Sequence, residues 1–355
     1  MKGRKTANLE QFFEASGGCK VWIGVDVHKR SYSVAIYRED GVMVSWKTAA
    51  DNGALIKQLS GHGMEIKALV YESRPTGFGL ARACRDAGVP AIVGAPSRIT
   101  RPVSPTAKTD SLDCQKLARL AAKDMVRSIA VPSEEEEALR ALERRRHQLA
   151  DCQRKVRQRI KGFLLFHGIA EPEGLERWTV QAVQTLAQMP LNEMLREVLD
   201  DYLEELRHAR QRILALEKKL AGYTAALHQR RLACLQSVPG VGRIVACSFL
   251  SELFRPERFQ RGEEVSAYLG LAPLVRHSGE KSPAGRLRPT GHTRLRSLLV
   301  EAAWVWQSRD PGVRAYYARM LCNTGLAQKA ITAVARKLAI ILWRLACEER
   351  TYRPA

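Results

Sequence analysis

The carboxylate with the most unusual setting in this 355-residue chain is Asp26. It lies near the end of a short apolar run, residues 20–29, whose β-branched side chains favour a buried strand. A carboxylate in such a strand carries a large desolvation penalty unless a cation meets it. A bound metal ion is one such partner, so the other acids of the chain become candidate ligands.

Three further acids have suitable positions. Glu72 follows a second apolar strand at 67–71, while Asp110 and Asp113 lie three residues apart where a helix is predicted to begin. Helical spacing places these two aspartates on one face, within reach of a shared ion. Each acid also has a structural explanation, since acids cap helix starts and suit the helix dipole, and Asp26 and Glu72 could simply end strands. The combination favours a two-metal site. The Cys and His spacings fit no metal, so the ion would be hard and oxygen-ligated.

A candidate nucleophile and a set of basic residues lie later in the chain. The Ser278 hydroxyl could attack once a base or metal activates it, although a Ser-Gly pair is also ordinary turn chemistry. Residues 276–296 carry six Lys or Arg and one acid, which is typical of a loop against phosphates. The turn at 239–242 leads into a helix, and its N–H groups could hold a phosphate unless it is a plain tight turn. The candidate nucleic-acid contacts are Gly240, Gly242, Arg276, Lys281, Arg286, Arg288 and Arg294.

The composition narrows the class of partner. The net charge of +20 favours a polyanion, either nucleic acid or an acidic membrane. The late apolar run at 338–343 is too short for a bilayer span, and the N-terminus has no apolar signal segment, so no membrane association is expected. The eight cysteines form no Cys-x-x-Cys pair, which suits a reducing cytoplasm. The expected location is therefore the cytoplasm, and a protein that binds DNA there is expected to be associated with the nucleoid.

The elements that must position the acids form an α/β domain. Alternation and turn residues predict three antiparallel strands followed by a helix, a strand, a helix, a strand and a further helix. This order is that of a ribonuclease H-like (RuvC-like) fold. The predicted organisation is a leader at 1–19, this domain at 20–130, a helical coiled-coil arm at 131–230 and a mainly α domain with a helix-hairpin-helix-like element at 231–355.

The predicted arm contains a heptad seam that needs a partner. Leu, Tyr, Ala and Ile residues repeat by threes and fours from 195 to 220. The partner could be the helix predicted at 133–167, folded back as a hairpin, or another subunit. The arginines along 133–167 form either a solvated face or a nucleic-acid contact.

Taken in order, the motifs resemble one family, the DEDD-type transposases of the insertion-sequence-110 family, which are guided by a bridge RNA. The resemblance covers about residues 20–345. The matching stretches are Ile-Gly-Val-Asp-Val-His-Lys at 23–29, Tyr-Glu at 71–72, Thr-Gly at 76–77, Lys-Thr-Asp-Ser-Leu-Asp at 108–113, Ser-Val-Pro-Gly-Val-Gly at 237–242, Tyr-Leu-Gly-Leu-Ala-Pro at 268–273, Ser-Gly at 278–279, Gly-His at 291–292 and Leu-Arg at 295–296.

The resemblance implies a transposase or site-specific recombinase of an insertion sequence. Four acids, here Asp26, Glu72, Asp110 and Asp113, would bind Mg²⁺ in a two-metal site, with Mn²⁺ as a substitute. A serine, here Ser278, would attack DNA and leave a covalent phosphoserine intermediate. The implied partners are donor and target DNA, a guide RNA and further subunits in a dimer or tetramer, because the metal-bearing and serine-bearing halves come together from different subunits.

Two features depart from the family pattern, and two other functions stay open. Ser73, Arg74 and Pro75 lengthen the loop after Glu72, and Arg74 could pair with Glu72 when metal is absent. The leader is also longer than usual. The first alternative function is a RuvC-like nuclease that uses metal-activated water, and the second is a non-catalytic nucleic-acid-binding scaffold.

Overall fold

A computed structural model of the protein describes residues 9–73, 75–94, 110–273, 287 and 291–354, with the side chains of 110 and 111 outside this description. The chain forms two compact units, Met1–Ser133 and Glu134–Ala355. The second unit contains both the predicted arm and the predicted C-terminal domain. Within the described ranges, no helix has the length and apolar character needed to cross a membrane.

The N-terminal unit is built on a mixed five-stranded sheet. The strands are β1 Lys20–Val27, β2 Ser31–Arg38, β3 Met43–Ala49, β4 Glu65–Glu72 and β5 Ala91–Gly94. Their order in the sheet is β3-β2-β1-β4-β5. The pairs β3–β2 and β2–β1 are antiparallel, whereas the pairs β1–β4 and β4–β5 are parallel. This topology is consistent with the predicted ribonuclease H-like fold.

Helices cover both faces of this sheet. One face carries the larger core, into which pack α1 (residues 9–14), α2 (Asn52–Leu59) and α3 (Gly79–Asp86). Part of the predicted leader is therefore helical, with Phe12 and Phe13 buried in this core. The opposite face carries α4 alone among the described helices, spanning Asp110–Ala122. Every strand and helix predicted for this unit is present.

The C-terminal unit is mainly helical, as predicted. Its core contains Phe249, Leu299, Trp306 and Leu338, all with no exposed surface. The helices are α5 Glu134–Phe166, α6 Val180–Gln188, α7 Glu193–Gln236, α8 Arg243–Leu253, α9 Gly262–Tyr268, α10 Thr293–Arg309, α11 Pro311–Thr324 and α12 Ala327–Glu348.

The partner of the apolar seam is α5 of the same chain. Leu164 near the end of α5 shares a core with Leu199 near the start of α7. Leu139 near the start of α5 shares another core with Leu220, which lies further along α7. The two helices are therefore antiparallel. Two ion pairs between the helices have the same antiparallel order. Arg146 Nε of α5 lies 2.8 Å from Glu217 Oε1 of α7, and Arg159 Nη1, later in α5, lies 3.3 Å from Glu205 Oε2, earlier in α7. Of the two predicted partners for the apolar seam, the structure shows the helix of the same chain, folded back as a hairpin.

Candidate active site

Asp26 and Glu72 lie side by side at one edge of the sheet. Val25 of β1 pairs with Tyr71 of the parallel strand β4, so the next residue on each strand reaches the same level. Val25 and Tyr71 belong to the larger core on one face. Because side chains alternate along a strand, Asp26 and Glu72 both face the opposite side, where α4 packs.

Gly24 allows α4 to lie directly on β1. A Cβ atom at this position would be 2.0 Å from the carbonyl oxygen of Cys114 and 2.6 Å from the amide nitrogen of Ala118. Only a residue without a side chain permits this approach. Gly24 precedes Asp26 by two residues and shares its face, while Asp113 directly precedes Cys114. The close contact therefore brings the first turn of α4 to the edge that carries Asp26.

The carboxylates of Asp26 and Asp113 both act on the pKa of the Cys114 thiol. Burial raises the pKa of Cys114 to about 11, and the carboxylates of Asp26 and Asp113 act in the same direction. Asp113 is half-buried, as is Glu72, and the Asp26 side chain is 25% exposed. We call Asp26, Glu72 and Asp113 the acid edge. All three are accessible to solvent and to a ligand.

His28 is a member of this site that the sequence argument did not single out. Its Nε2 lies 3.0 Å from Asp26 Oδ2, and its ring is 43% exposed. The backbone N–H of His28 donates to the carbonyl oxygen of Ser31, which closes the β1–β2 connection. The sequence signal that could have identified His28 is its spacing of two residues from Asp26, because residues i and i+2 of a strand share a face.

The Tyr71 hydroxyl holds the chain that follows Glu72. It donates to the carbonyl oxygen of Gly77 at 3.2 Å and accepts from the N–H of Ala81 at 3.2 Å. Burial raises the Tyr71 pKa to about 12. The Gly77 N–H also donates to the carbonyl oxygen of Ser73 at 2.7 Å, so the loop is closed on itself. Arg74, the predicted partner of Glu72, lies outside the described residues.

The chemistry of the acid edge suits a hard divalent cation. Its ligands are carboxylate oxygens, which Mg²⁺ and Mn²⁺ prefer to softer donors. Asp110 is the first residue of α4, and its side chain lies outside the described part of the chain. Among the described side chains, no three metal-ligating groups approach closely enough to hold an ion. The three acids share an edge and a face, and a metal site there needs the fourth acid or movement of the side chains.

The two predicted glycine contacts differ in their surroundings. Gly240 has a φ of +86°, and a Cβ atom there would lie 2.6 Å from the carbonyl oxygen of Ala302 in α10, so packing within the unit already requires glycine. Gly242 directly precedes α8 and has no neighbouring atom within 4 Å of a Cβ position. The predicted turn does open a helix. Of the two glycines, Gly242 is the one with open space around it.

Arg294 is engaged in a buried ionic cluster. Its guanidinium lies 2.6 Å from Glu252 Oε1 and 3.3 Å from Glu143 Oε2. The Glu252 side chain is 2% exposed and also binds arginines from α5. We call this group the Glu252 cluster. Its members are Arg140, Glu143, Arg144, Glu252, His292 and Arg294.

Burial and the neighbouring charges together set the ionisation of the Glu252 cluster. Burial raises the pKa of Glu252, but the hydrogen bond of Arg144 and the charges of the surrounding basic groups together outweigh burial and lower it. Burial raises the pKa of Glu143 despite the charge of Arg294. Burial also lowers the pKa of His292 to about 4, although Glu252 opposes this shift. His292 is therefore neutral near pH 7, and three arginines face two acids in the cluster.

The candidate nucleophile and most of the predicted basic contacts lie outside the described residues. These are Ser278, Arg276, Lys281, Arg286 and Arg288. The described residues run up to 273 and resume at 291, with Leu287 described between them, and Pro273 pairs with Leu287 in an antiparallel bridge. The roles of these five residues stay predictions.

Two family models match the chain over ranges that include these candidates. A model described as "Transposase", of the DEDD insertion-sequence-110 type, matches residues 23–168, which contain the four acids. A model described as "Transposase IS116/IS110/IS902 family" matches residues 232–318, which contain Ser278 and the predicted nucleic-acid contacts. The first match contains the four acids and extends into α5, and the second contains Ser278.

Curated proteins from several bacteria are similar over most of the chain. A putative transposase y4qE of Sinorhizobium fredii is 30% identical over 93% of this chain and 90% of its own length. The transposase for insertion sequence element IS1533 of Leptospira borgpetersenii is 29% identical, covering 82% of this chain and 86% of its own. The transposase for insertion sequence element IS1111A of Coxiella burnetii is 26% identical, with shares of 75% and 74%.

Proposed function

Because the chain belongs to the insertion-sequence-110 family of DEDD transposases, we propose that it cuts and rejoins DNA through attack by Ser278. The Ser278 oxygen forms a bond to the scissile phosphorus as the bond to the deoxyribose oxygen breaks. The serine proton ends on the released deoxyribose hydroxyl. The phosphoserine ester retains one phosphoester bond for each one broken, so reversal with a new strand rejoins the DNA with little change in free energy.

The acid edge is the observation that carries this proposal. Asp26 and Glu72 occupy the ends of neighbouring parallel strands, on the face that receives the first turn of α4 with Asp113. With Asp110 they would hold magnesium ions. Bound Mg²⁺ would supply polarisation of the scissile phosphate and help in deprotonating the serine. His28 would orient Asp26 through the hydrogen bond to Oδ2.

The C-terminal unit would supply the nucleophile and the phosphate contacts. Arg276, Lys281, Arg286 and Arg288 would neutralise phosphates near Ser278, and Gly242 would present the open N-terminus of α8. Arg294 is proposed as a weaker contact, since its charge already serves Glu252 and Glu143. Gly240 would support the same turn through its packing on α10.

A guide RNA and further subunits complete the proposed complex. The surplus of positive charge suits an RNA as well as DNA, and base pairing with that RNA would select the donor and target sites. The acids of one subunit would meet the serine of another, in a dimer or tetramer. The antiparallel pair of α5 and α7 would form the arm through which subunits associate.

Trapping of the covalent intermediate tests the proposal. The protein is incubated with Mg²⁺, its co-purifying RNA and a plasmid carrying its own insertion element, and then denatured with detergent. We expect DNA bound covalently to the wild type and to Ser282→Ala, a nearby serine control, and none bound to Ser278→Ala. Mass spectrometry of the digested adduct would place the nucleotide on Ser278.

The other outcomes of this experiment identify the alternative functions. Cut DNA without an adduct, unaffected by Ser278→Ala, would indicate a nuclease that uses metal-activated water. Bound but uncut DNA under every condition would indicate a scaffold. Normal recombination by Ser278→Ala would end the serine proposal.

A further inference from the structure

The structure divides the basic residues of α5 into two groups. Most of them form ion pairs with acids of the C-terminal unit: Arg140 and Arg144 with Glu252, Arg146 with Glu217, Arg154 with Asp151, Arg159 with Glu205 and Lys161 with Glu171. The charges of these residues are compensated within the fold. Arg157 belongs to the other group, since none of the acids that the structure describes forms an ion pair with it.

An aromatic ring holds the Arg157 side chain in place. The guanidinium carbon lies 5.3 Å from the centroid of the Trp178 ring, which is within cation–π range. Trp178 packs against the core shared by α5 and α7, and its φ of +56° is uncommon for a residue other than glycine. Nε of Arg157 is buried and has no hydrogen-bond partner among the described residues. Packing therefore fixes this guanidinium group, whose hydrogen-bond donors are not used within the described part of the unit.

A second arginine without an ion pair faces Arg157 from α7. Arg159 of α5 pairs with Glu205, so Arg157, two residues earlier in this antiparallel pair, is level with Arg207. Arg210 lies about one helical turn further along α7 and is exposed. None of the described acids forms an ion pair with Arg210. The two guanidinium groups are close enough to interact, because burial and the charge of Arg210 lower the pKa of Arg157.

Two neighbouring cations without an acid are unfavourable in the free protein. Like charges on facing helices repel each other, and an anion bound between them removes that repulsion. Guanidinium groups bind phosphate through paired N–H donors, and an arginine stacked on an aromatic ring is already oriented for such a contact. The net charge of +20 attracts polyanions to the protein surface on which the two groups lie. The chemistry of this flank therefore suits a phosphodiester.

We propose that Arg157 and Arg210 form a phosphate-binding site on one flank of the α5–α7 pair, with Trp178 as the support of Arg157. The ligand is a phosphodiester group of a nucleic-acid strand, and DNA and the guide RNA both present this group. The inference rests on the proposed binding of nucleic acid and is independent of Ser278 as nucleophile. It assigns the ion-paired arginines of α5 to the fold and Arg157 to the ligand.

Arg157→Gln tests the site against a matched control. Arg159→Gln removes the same charge two residues away on the same helix, but this arginine is already paired with Glu205. The probes are the RNA that co-purifies with the wild type, removed and added back, and a DNA duplex carrying one end of the insertion element. The measurements are the dissociation constant of each probe at several salt concentrations and the thermal unfolding midpoint of the free protein.

We expect Arg157→Gln to weaken binding of at least one probe by roughly 10-fold, and Arg159→Gln by less than about 2-fold. In Arg157→Gln the slope of log Kd against log salt should also fall, by about 0.9 for duplex DNA or about 0.7 for single-stranded RNA, as expected for the loss of one phosphate contact. A loss confined to the RNA assigns the site to the guide RNA, a loss confined to the duplex assigns it to DNA, and a loss with both assigns it to a surface that either can occupy.

Arg210→Gln provides a second test if Arg157→Gln does not fold. Arg210 is exposed and its loss removes the repulsion on Arg157, so we expect weaker binding with an unchanged or higher unfolding midpoint. Equal binding by the Arg157, Arg210 and Arg159 variants would overturn the inference. So would a lower unfolding midpoint in Arg157→Gln with unchanged binding, which would make Arg157 only a structural partner of Trp178. Failure of the wild type to bind either probe would instead contradict the proposed function.

Discussion

The acid edge and the Glu252 cluster both concentrate carboxylates, and they differ in how the negative charge is compensated. Glu252 is 2% exposed and binds guanidinium groups from α5 and α10. Asp26 is 25% exposed, and its described partner is a histidine that is itself 43% exposed. Buried acids with arginine partners supplied by the fold are structural anchors. Accessible acids gathered at a sheet edge are suited to bind a cation from solution.

Glu252→Gln is expected to have the largest effect on stability. The change leaves two half-buried arginines, Arg140 and Arg294, and the more exposed Arg144 facing a neutral amide, and removal of one partner from a buried pair costs about 3–5 kcal/mol. Chemical denaturation measures the change in unfolding free energy. The control is Glu205→Gln, an exposed partner of Arg159, for which about 0–1 kcal/mol is expected. Similar losses from both variants would remove the distinction between the two regions.

Asp26→Asn is expected to abolish chemistry with little loss of stability. Loss of one charged ligand should lower adduct formation by roughly 10²–10³-fold or more, as for other groups that stabilise transition-state charge. Stability should change by less than about 1 kcal/mol, since the Asp26–His28 pair is accessible. Metal binding gives a second measurement, because the rise in unfolding temperature with Mg²⁺ should shrink. Asp40→Asn is the control, and unchanged recombination by Asp26→Asn would show that the acid edge is structural.

The pH dependence of stability should come from the Glu252 cluster. His292 faces Glu252 of α8, Arg140 and Arg144 of α5, Arg294 of α10 and the Tyr268 ring. Its pKa is lowered to about 4, against about 6.5 in the unfolded chain. The unfolded state therefore binds more protons between these values. The stabilisation is complete above pH 6.5 and is lost as the pH falls towards 4.

The measurement for His292 is the difference between wild type and His292→Gln across this range. The wild type should lose up to roughly 3 kcal/mol more than the variant between pH 7 and 4, because the variant lacks the titrating ring. Other acids titrate in both proteins and cancel in the difference. Parallel curves would mean that His292 does not stay neutral in the folded protein.

The contrast also explains which parts of the molecule the sequence could predict. The order of strands and helices around Asp26 and Glu72 follows from alternation, turns and apolar runs, which are local. The basic residue Arg294 was predicted as a nucleic-acid contact from local charge density. Its partners Glu252 and Glu143 lie 42 and more than 100 positions away, and nothing in the local pattern indicates that they meet.

The same reasoning applies to the glycines. Gly24 was read as one residue of an apolar strand, yet it is the point where α4 lies on the sheet, because the carbonyl oxygen of Cys114 occupies the space of a side chain. Gly240 was predicted to contribute its backbone to a nucleic-acid contact, and its Cβ position lies against α10, which requires glycine there whether or not that contact forms. Tertiary packing of distant helices decides both roles. Single-sequence periodicity carries no signal for such contacts.

Tyr71→Phe is expected to have the smallest effect of these substitutions. The chain that follows Glu72 is held by neutral hydrogen bonds, in which the Tyr71 hydroxyl joins the carbonyl oxygen of Gly77 and the N–H of Ala81. Loss of the hydroxyl should cost about 1 kcal/mol of unfolding free energy and slow adduct formation severalfold, because Glu72 is the next residue. Tyr32→Phe, which removes a bond to Asn52, should cost similar stability with a smaller change in rate. Since the lost bonds are uncharged, the difference should persist in high salt, where an effect transmitted through exposed ion pairs would weaken.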